Sequence, residues 1–491
     1  MIYPSLTQAD ALQKAGDYKR IPIKLELYAD TLTPILALRK LKKASKHCFM
    51  FESAERSNVW GRYTFLGFNP TLEITAENGM VQLKEGEQIQ KSTENPADLI
   101  RRVLRENKAP ILPEFPPFAG GLVGYFSYDY IKYAEPSLVL DANDQEGFKD
   151  VDLMLFDTLV AFDNYKQKII LIANIQTDDL AVNYAQGEVA LHALAALLQE
   201  GALCENPPLQ MKSEFRQLFD ETAFCQMVEK AKHYIHEGDI FQVVLSNRLE
   251  ADISGSLLDT YRVLRTVNPS PYMFYFSSDD VEIAGASPET LVKLENGTLH
   301  TFPLAGTKPR GKTQAEDEAL ASALLADEKE RAEHNMLVDL GRNDIGKISK
   351  IGSVEVEKYM QIERFSHVMH IGSTVKGVLA DDKDALDAID SILPAGTLSG
   401  APKLRACEII NELEDNKRGI YGGAIGYLDF SGNLDTCIAI RLAFAKNGKV
   451  FVRSGAGIVA DSVPESEYQE CINKAKAVAH SLNIAQGGID L

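Results

Sequence analysis

The chain runs to 491 residues, 45% hydrophobic and 25% charged, and carries a formal net charge of −19. An ordinary globular composition with that excess of acid argues against nucleic acid or an anionic membrane as a partner, and any anionic ligand then needs a local basic pocket. No apolar run approaches the ~18 residues of a membrane span, no basic-then-apolar leader opens the chain, and six cysteines without C-x-x-C spacing rule out a zinc knuckle, so a cytoplasmic protein without a disulfide framework is expected.

Between residue 21 and about 175, short apolar runs alternate with glycine-punctuated turns: CFMFESAE, GRYTFLGF, GGLVGYFSYDY, LMLFDTLVAFD and IILIANI. Such runs predict strands of an antiparallel sheet. The tract DANDQEGFKD (141–150) reads as an exposed acidic loop, and VALHALAALL predicts a helix from about Val182 to Glu200. Residues 201–218 hold two prolines and few strong formers, which places a linker between an N-terminal domain (1–200) and a second domain (219–491). Beyond it the pattern restarts with a helix over 222–237, the strand DIFQVVLSNRLE, a helix through YRVLRTV and the strands YMFYFSS and EIAGASPE. A basic loop and a long helix over 315–340 follow. Strands and helices mixed without a βαβ rhythm predict an α+β fold, with large antiparallel sheets packed as a sandwich and helices outside.

Two glutamate pairs stand out, Glu330/Glu333 and Glu467/Glu470. Each sits three apart in a helical pattern, so each offers two carboxylates on one face. An isolated pair of this kind is usually a solvated acidic face. Two of them facing a shared divalent cation would convert repulsion into binding, and few hard oxygen ligands completed by water and an anionic substrate suit Mg²⁺. GTKPRGKT (306–313) fits the phosphate loop of ATPases and GTPases. Pro309 removes an amide from it, and Glu316, Asp317 and Glu318 would crowd the phosphates, so nucleotide binding is kept only as an alternative. SGAG (454–457) and PAGTLSGAPK (394–403) read as turns whose amides form nests for carboxylates. Arg441 falls in the apolar strand pattern TCIAIRLAF, where a guanidinium must be paired. Lys474 follows Glu470 by one turn, placed for a salt bridge or a substrate carboxylate.

Six motifs in order, SPE (287–289), PLAGT (303–307), KERAEHNMLVDLGRND (329–344), PAGTLSGAPK, GAG (455–457) and ESEYQECINKA (465–475), resemble those of chorismate-utilising enzymes. The resemblance covers roughly 220–480, and the N-terminal part looks like the matching domain of anthranilate synthase component I. It implies an α/β sandwich whose cleft binds Mg²⁺ and chorismate, a cyclohexadiene bearing two carboxylates. By resemblance, Glu333 and Glu470 ligate the metal with Glu330 and Glu467 beside them. The amides of Gly455, Ala456 and Gly457, with Lys474, hold the ring carboxylate; Tyr421 and Arg441 take the enolpyruvyl carboxylate. Gly306 and Thr307 line the ring, Glu289 is the general acid, His370 handles the proton transfer that frees pyruvate, and Thr397 positions the ring or His370. Two positions separate the family's reactions. Water-adding members carry lysine where this chain has Gln242, an amide that takes no proton near neutrality. Lysine-bearing aminodeoxychorismate synthases carry a nucleophile where this chain has Ala305. Ammonia is therefore expected to attack C2, giving anthranilate after loss of pyruvate.

None of the cysteines lies in a nucleophile turn, so a glutamine amidotransferase subunit (component II) is the expected source of ammonia, commonly in a heterotetramer. FESAE (51–55) and NPSPYMFYF (268–276) are similar to the family segments that line an inhibitory tryptophan site. Glu52 would meet the amino group and Ser53 the carboxylate or indole, while Pro271, Tyr272 and Met273 wall in the ring. Met50 and Phe51 depart from the leucines usual there.

Overall fold

The alternating apolar runs pair into two large antiparallel sheets in the computed structural model, which describes residues 2–54, 61–364 and 368–489. The first sheet orders its strands Arg20–Tyr28, Lys168–Gln176, Thr158–Asp163, Tyr63–Phe68, Cys48–Glu52, Tyr272–Ser277, Glu282–Ser287, Leu442–Lys446, Lys449–Ile458 and Gln242–Ser254. The second runs Leu304–Pro309, Val368–Val378, Thr298–Thr301, Thr290–Glu295, Leu434–Ile438, Ala424–Asp429, Gly121–Phe126, Val151–Phe156 and Leu72–Glu77, with a hairpin beyond. Aromatic residues on the two inner faces make the shared core: Phe49 and Phe156 meet edge to face at 4.9 Å, and Phe118 stacks on Tyr427 at 4.1 Å. Each such ring taken out of water stabilises the sandwich by about 2–3 kcal/mol.

The outer faces are covered by helices. Pro34–Ala44, Leu180–Glu200, Leu258–Val267 and Pro464–Ala485 share one apolar cluster with the first sheet. Pro96–Glu106, Glu328–Gly346 and Ala385–Ile392 share another with the second. The architecture is thus four layers, helix–sheet–sheet–helix, as the mixed pattern predicted.

The boundary expected at 201–218 is a surface excursion that makes two short pairings with Gln242–Ser254. It does not divide the sheets. Cys48–Glu52 pairs with Tyr272–Ser277, and Gly121–Phe126 pairs with Ala424–Asp429. Strands from before the boundary need partners from after it to satisfy their edge amides. The division therefore describes chain order rather than separate cores.

Two further expectations change. The long helix over 315–340 is two helices, Gln314–Ala326 and Glu328–Gly346, because the Asp327 side chain leaves the helix and accepts from the amides of Lys329 and Glu330. In GTKPRGKT, the amide of Gly311 donates to Asp317 at 2.9 Å and that of Lys312 to Glu316 at 2.8 Å. Amides that would cradle a phosphate are committed to carboxylates of the following helix, which removes the nucleotide alternative.

Candidate active site

The glutamate pairs open two helices. Glu330 lies in the first turn after the Asp327 cap, and Glu467 in the first turn after Pro464, where the dipole favours acids. Glu333 is solvent-exposed, yet the protein around it raises its carboxyl above the ordinary value, as do Glu330 and then Glu470. Glu467 is raised by burial and by Glu470, against a bond from Ser462. Pairs far apart in sequence therefore share one field. Among the described residues, no three of these carboxylates bring oxygens within 4.8 Å of one another. The Glu470 carboxylate accepts from Lys474 Nζ at 2.7 Å, and the same ammonium donates to the Gly455 carbonyl at 3.0 Å. An all-oxygen donor set under mutual repulsion fits a hard cation such as Mg²⁺ in its chemistry.

A groove of about 700 Å³ runs beside Glu470, Lys474 and Arg441. Arg441 does not lie in a strand. It occupies the crossing from Leu434–Ile438 of the second sheet to Leu442–Lys446 of the first, with a left-handed φ of 50°. Its carbonyl accepts from the Ala286 amide at 3.1 Å. Among the described residues its guanidinium has no carboxylate within 4.0 Å, contrary to the pairing expected; burial lowers its pKa and only the field of Glu289 opposes that. A left-handed non-glycine residue costs about 1–3 kcal/mol. Strain and an unpaired, half-buried cation together mark a place prepared for an anion.

Glu289 follows the strand Glu282–Ser287 and is half-buried. Burial pushes its carboxyl up to about 7, while Thr397, Arg441 and Lys474 pull it back. Thr397 Oγ1 donates to Glu289 Oε1 at 3.3 Å from the short turn Gly396–Leu398. His370, on Val368–Val378, sets Nδ1 at 2.6 Å from the Gly306 carbonyl and 3.2 Å from Thr307 Oγ1. A carbonyl can only accept, so Nδ1 carries the proton and Nε2 is the basic nitrogen. Burial, aided by Arg441, lowers the His370 pKa and keeps the ring neutral. Gly306 has φ 66°, and a Cβ there would lie 3.0 Å from Glu330 Oε2. That glycine joins the segment expected to line the ring to the acid pair.

Gly455, Ala456 and Gly457 are not a turn. They continue Lys449–Ile458 opposite Ser246, Leu245 and Val244. Successive strand amides point to opposite edges, so they do not form one three-amide nest. They supply clearance instead: a Cβ on Gly455 would lie 3.0 Å from the Tyr421 hydroxyl, and one on Gly457 would lie 2.7 Å from Gln242 Nε2. Tyr421 is buried, which raises its phenol pKa.

Residues 31–480 match the family described as chorismate binding enzyme. The chain belongs to the chorismate-binding enzyme family. It is 46% identical to anthranilate synthase component 1 of Acetivibrio thermocellus and 44% identical to that of Acinetobacter calcoaceticus, covering 99% of this chain in each and 99% and 100% of those proteins. A crystal structure of anthranilate synthase component I from Streptococcus pneumoniae TIGR4 superposes with a TM-score of 0.76 at 40% identity, covering 92% of this chain and 98% of that one. The menaquinone-specific isochorismate synthase of Escherichia coli, at 20% identity and a TM-score of 0.71 over 97% of this chain and 100% of that one, shares the fold.

This chorismate-binding chain braces its site with residues that spacing did not disclose. Glu414 is buried between Arg418 and Arg453 and accepts from both, at 2.5 and 2.7 Å. Arg418 also donates to the carbonyls of Leu398 at 2.6 Å and Val244 at 2.7 Å, and lies 4.5 Å from the Tyr128 ring. One guanidinium thus ties the Thr397 turn to the strand that begins at Gln242. The only sequence signal was a glutamate and an arginine four residues apart, the second beyond the end of the helix Lys403–Glu414.

The expected tryptophan segments do meet. Glu52 lies opposite Met273 in register, and the Ala54 amide donates to the Ser270 carbonyl at 3.0 Å. Ser53 and Pro271 flank that contact; Glu55 lies outside the described residues. Glu52 is already engaged, accepting from Tyr261 at 2.6 Å and from Arg265 at 2.5 and 3.0 Å. Tyr272 is the correction. Neighbours in a strand point to opposite faces, so Met273 faces the helix layer with Glu52. The Tyr272 ring turns between the sheets, where its hydroxyl donates to Asp435 at 2.8 Å.

Proposed function

We propose that this chain is the chorismate-aminating subunit of an anthranilate synthase, acting with ammonia from a glutamine amidotransferase subunit and inhibited by tryptophan. The observation that carries the reading is Glu289, a half-buried acid with its pKa raised to about 7 beside Arg441 and Lys474. Full-length similarity of 41–46% to proteins named anthranilate synthase component 1 supports it.

Arg441 and Tyr421 bind the enolpyruvyl carboxylate, and Lys474 binds the ring carboxylate. Glu330, Glu333, Glu467 and Glu470 would hold Mg²⁺, which supplies positive charge for that ring carboxylate. Glu289 gives its proton to the departing 4-hydroxyl, which leaves as water while ammonia bonds to C2 and the ring double bonds shift. Ala305 provides no competing nucleophile and Gln242 no base for water. Nε2 of His370 then takes the C2 proton as the C3–O bond breaks, and the enolpyruvyl fragment gains a proton and leaves as pyruvate. An imidazole kept neutral by burial is suited to that abstraction. Thr397 orients Glu289, and Gly306 and Thr307 orient His370.

Among the described residues no helix is long and apolar enough to cross a membrane. A cytoplasmic heterotetramer of two chains of each kind belongs to the same proposal. The test is to supply chorismate, ammonium and Mg²⁺ and follow anthranilate fluorescence, with glutamine as nitrogen source only once the second subunit is added. Accumulation of 4-amino-4-deoxychorismate would instead identify an aminodeoxychorismate synthase. Equal use of glutamine by the chain alone would sink the partner.

A further inference from the structure

The knot at Glu52 binds the first sheet to one particular helix. Among the described residues the three donors to that carboxylate, Tyr261 Oη and the Nε and Nη2 of Arg265, come from Leu258–Val267. The Glu52 side chain is 9% exposed and that of Arg265 is 34% exposed, so solvent reaches the pair from the guanidinium side. Hydrogen bonds to a charged group are stronger than those between neutral groups, so this contact holds the helix to Cys48–Glu52.

The same helix packs laterally against Pro464–Ala485. Tyr261 and Leu264 share one apolar cluster with Val478 and Leu482. Toward its other end, Pro464–Ala485 carries Glu470 and Lys474 into the catalytic groove, with Glu467 one turn before them. Eight residues separate Glu470 from Val478, about 12 Å along a rigid helix. A small rotation where the helices touch therefore moves the carboxylates at the groove.

We infer that Leu258–Val267 is the element that couples the regulatory site to the catalytic one, and that Arg265 is its latch. The inference rests on the tryptophan-site reading given above. Oε1 of Glu52 already accepts two hydrogen bonds, so a ligand ammonium reaching this carboxylate competes with Arg265 for it. Ligand binding loosens the latch, the helix shifts against Pro464–Ala485, and Glu467, Glu470 and Lys474 leave the arrangement that receives the ring carboxylate. A coupling of this kind is reciprocal: tryptophan weakens chorismate binding by the same factor by which chorismate weakens tryptophan binding.

The experiment measures the tryptophan Kd of the full chain by calorimetry, with and without saturating chorismate and Mg²⁺, in the absence of any nitrogen donor. In the unaltered chain the ratio of the two constants should be about fivefold or more. In Arg265→Gln tryptophan should still bind, with the ratio falling to within about twofold of unity. Tyr261→Phe, which keeps its ring in the core and loses one bond, should give an intermediate ratio. An unchanged ratio in Arg265→Gln overturns the inference, as does loss of tryptophan binding in that variant, which would make Arg265 a ligand anchor. Failure of the unaltered chain to bind tryptophan overturns the regulatory-site reading itself.

Discussion

The catalytic groove and the Glu52 knot are both built from charged side chains on helices laid against sheets, yet they are prepared in opposite ways. In and around the groove only some charges are matched: Glu470 pairs with Lys474, but Arg441 has no ion pair among the described residues, Glu333 is raised by burial and then by its acidic neighbours, and Glu289 is pushed up to about 7. At Glu52 every charge is matched, with Arg265 in a two-pronged pair and Tyr261 completing it. A site that must stabilise passing charge keeps its field ready in advance, and the fold bears the cost. A site that reports a ligand needs a resting contact that the ligand can disturb.

That contrast can be broken most directly at Glu289. Glu289→Gln removes the proton donor but keeps the shape, and should lower kcat by about 10²–10⁴ in the ammonium-dependent fluorescence assay. Activity within tenfold of the parent would show that another group protonates the leaving oxygen. Arg441→Ala, which removes the unpaired cation, should lower kcat/KM by about ten- to a hundredfold, with the loss mainly in KM.

The pH profile sharpens the same point. Glu289 must be protonated, so kcat should fall as pH rises through about 7. His370 must be neutral, so activity should also fall on the acid side, below the ordinary histidine value of 6.5. Stability follows in sign. The folded-state pKa of Glu289 is raised, so the unfolded chain loses this proton first; stability is full below about 4.5 and declines as pH rises through about 7. Glu289→Gln should therefore raise Tm at pH 8 and leave it unchanged at pH 4, as thermal unfolding would show. The smallest catalytic effect belongs to the other region: Ser53→Leu should relieve tryptophan inhibition while uninhibited kcat stays within about twofold. Lost activity with inhibition intact would remove Ser53 from the regulatory site.

Much of the site was legible because helical spacing is local. The pairs Glu330/Glu333 and Glu467/Glu470 could be assigned to helix faces from residues three apart, and the expected acid and base, Glu289 and His370, proved half-buried beside Thr397 and Gly306. Their roles came from ordered motifs, since a lone glutamate or histidine carries no such signal. Other features were not legible. Arg441 read as a strand residue because its neighbours are apolar, whereas the chain there crosses between sheets in a left-handed conformation. Tyr272 and Met273 read as one wall until the register with Glu52 showed which faces the helices. The buried arginine pair on Glu414 draws Arg453 from a strand and Arg418 from beyond a helix, and no periodicity joins them.

From the residues alone came the elements, the layer type and the acid pairs, since each depends on short spacing; the chemistry expected to be excluded at Gln242 and Ala305 came from the family resemblance. Only the tertiary structure decided that strands from both sides of 201–218 share both sheets and that Arg441 stays unpaired among the described residues. It also decided that Glu52 is held by a helix leaning on the one that carries Glu470. Those outcomes depend on where distant segments meet, and burial and Coulomb energies act through space without regard to the distance along the chain.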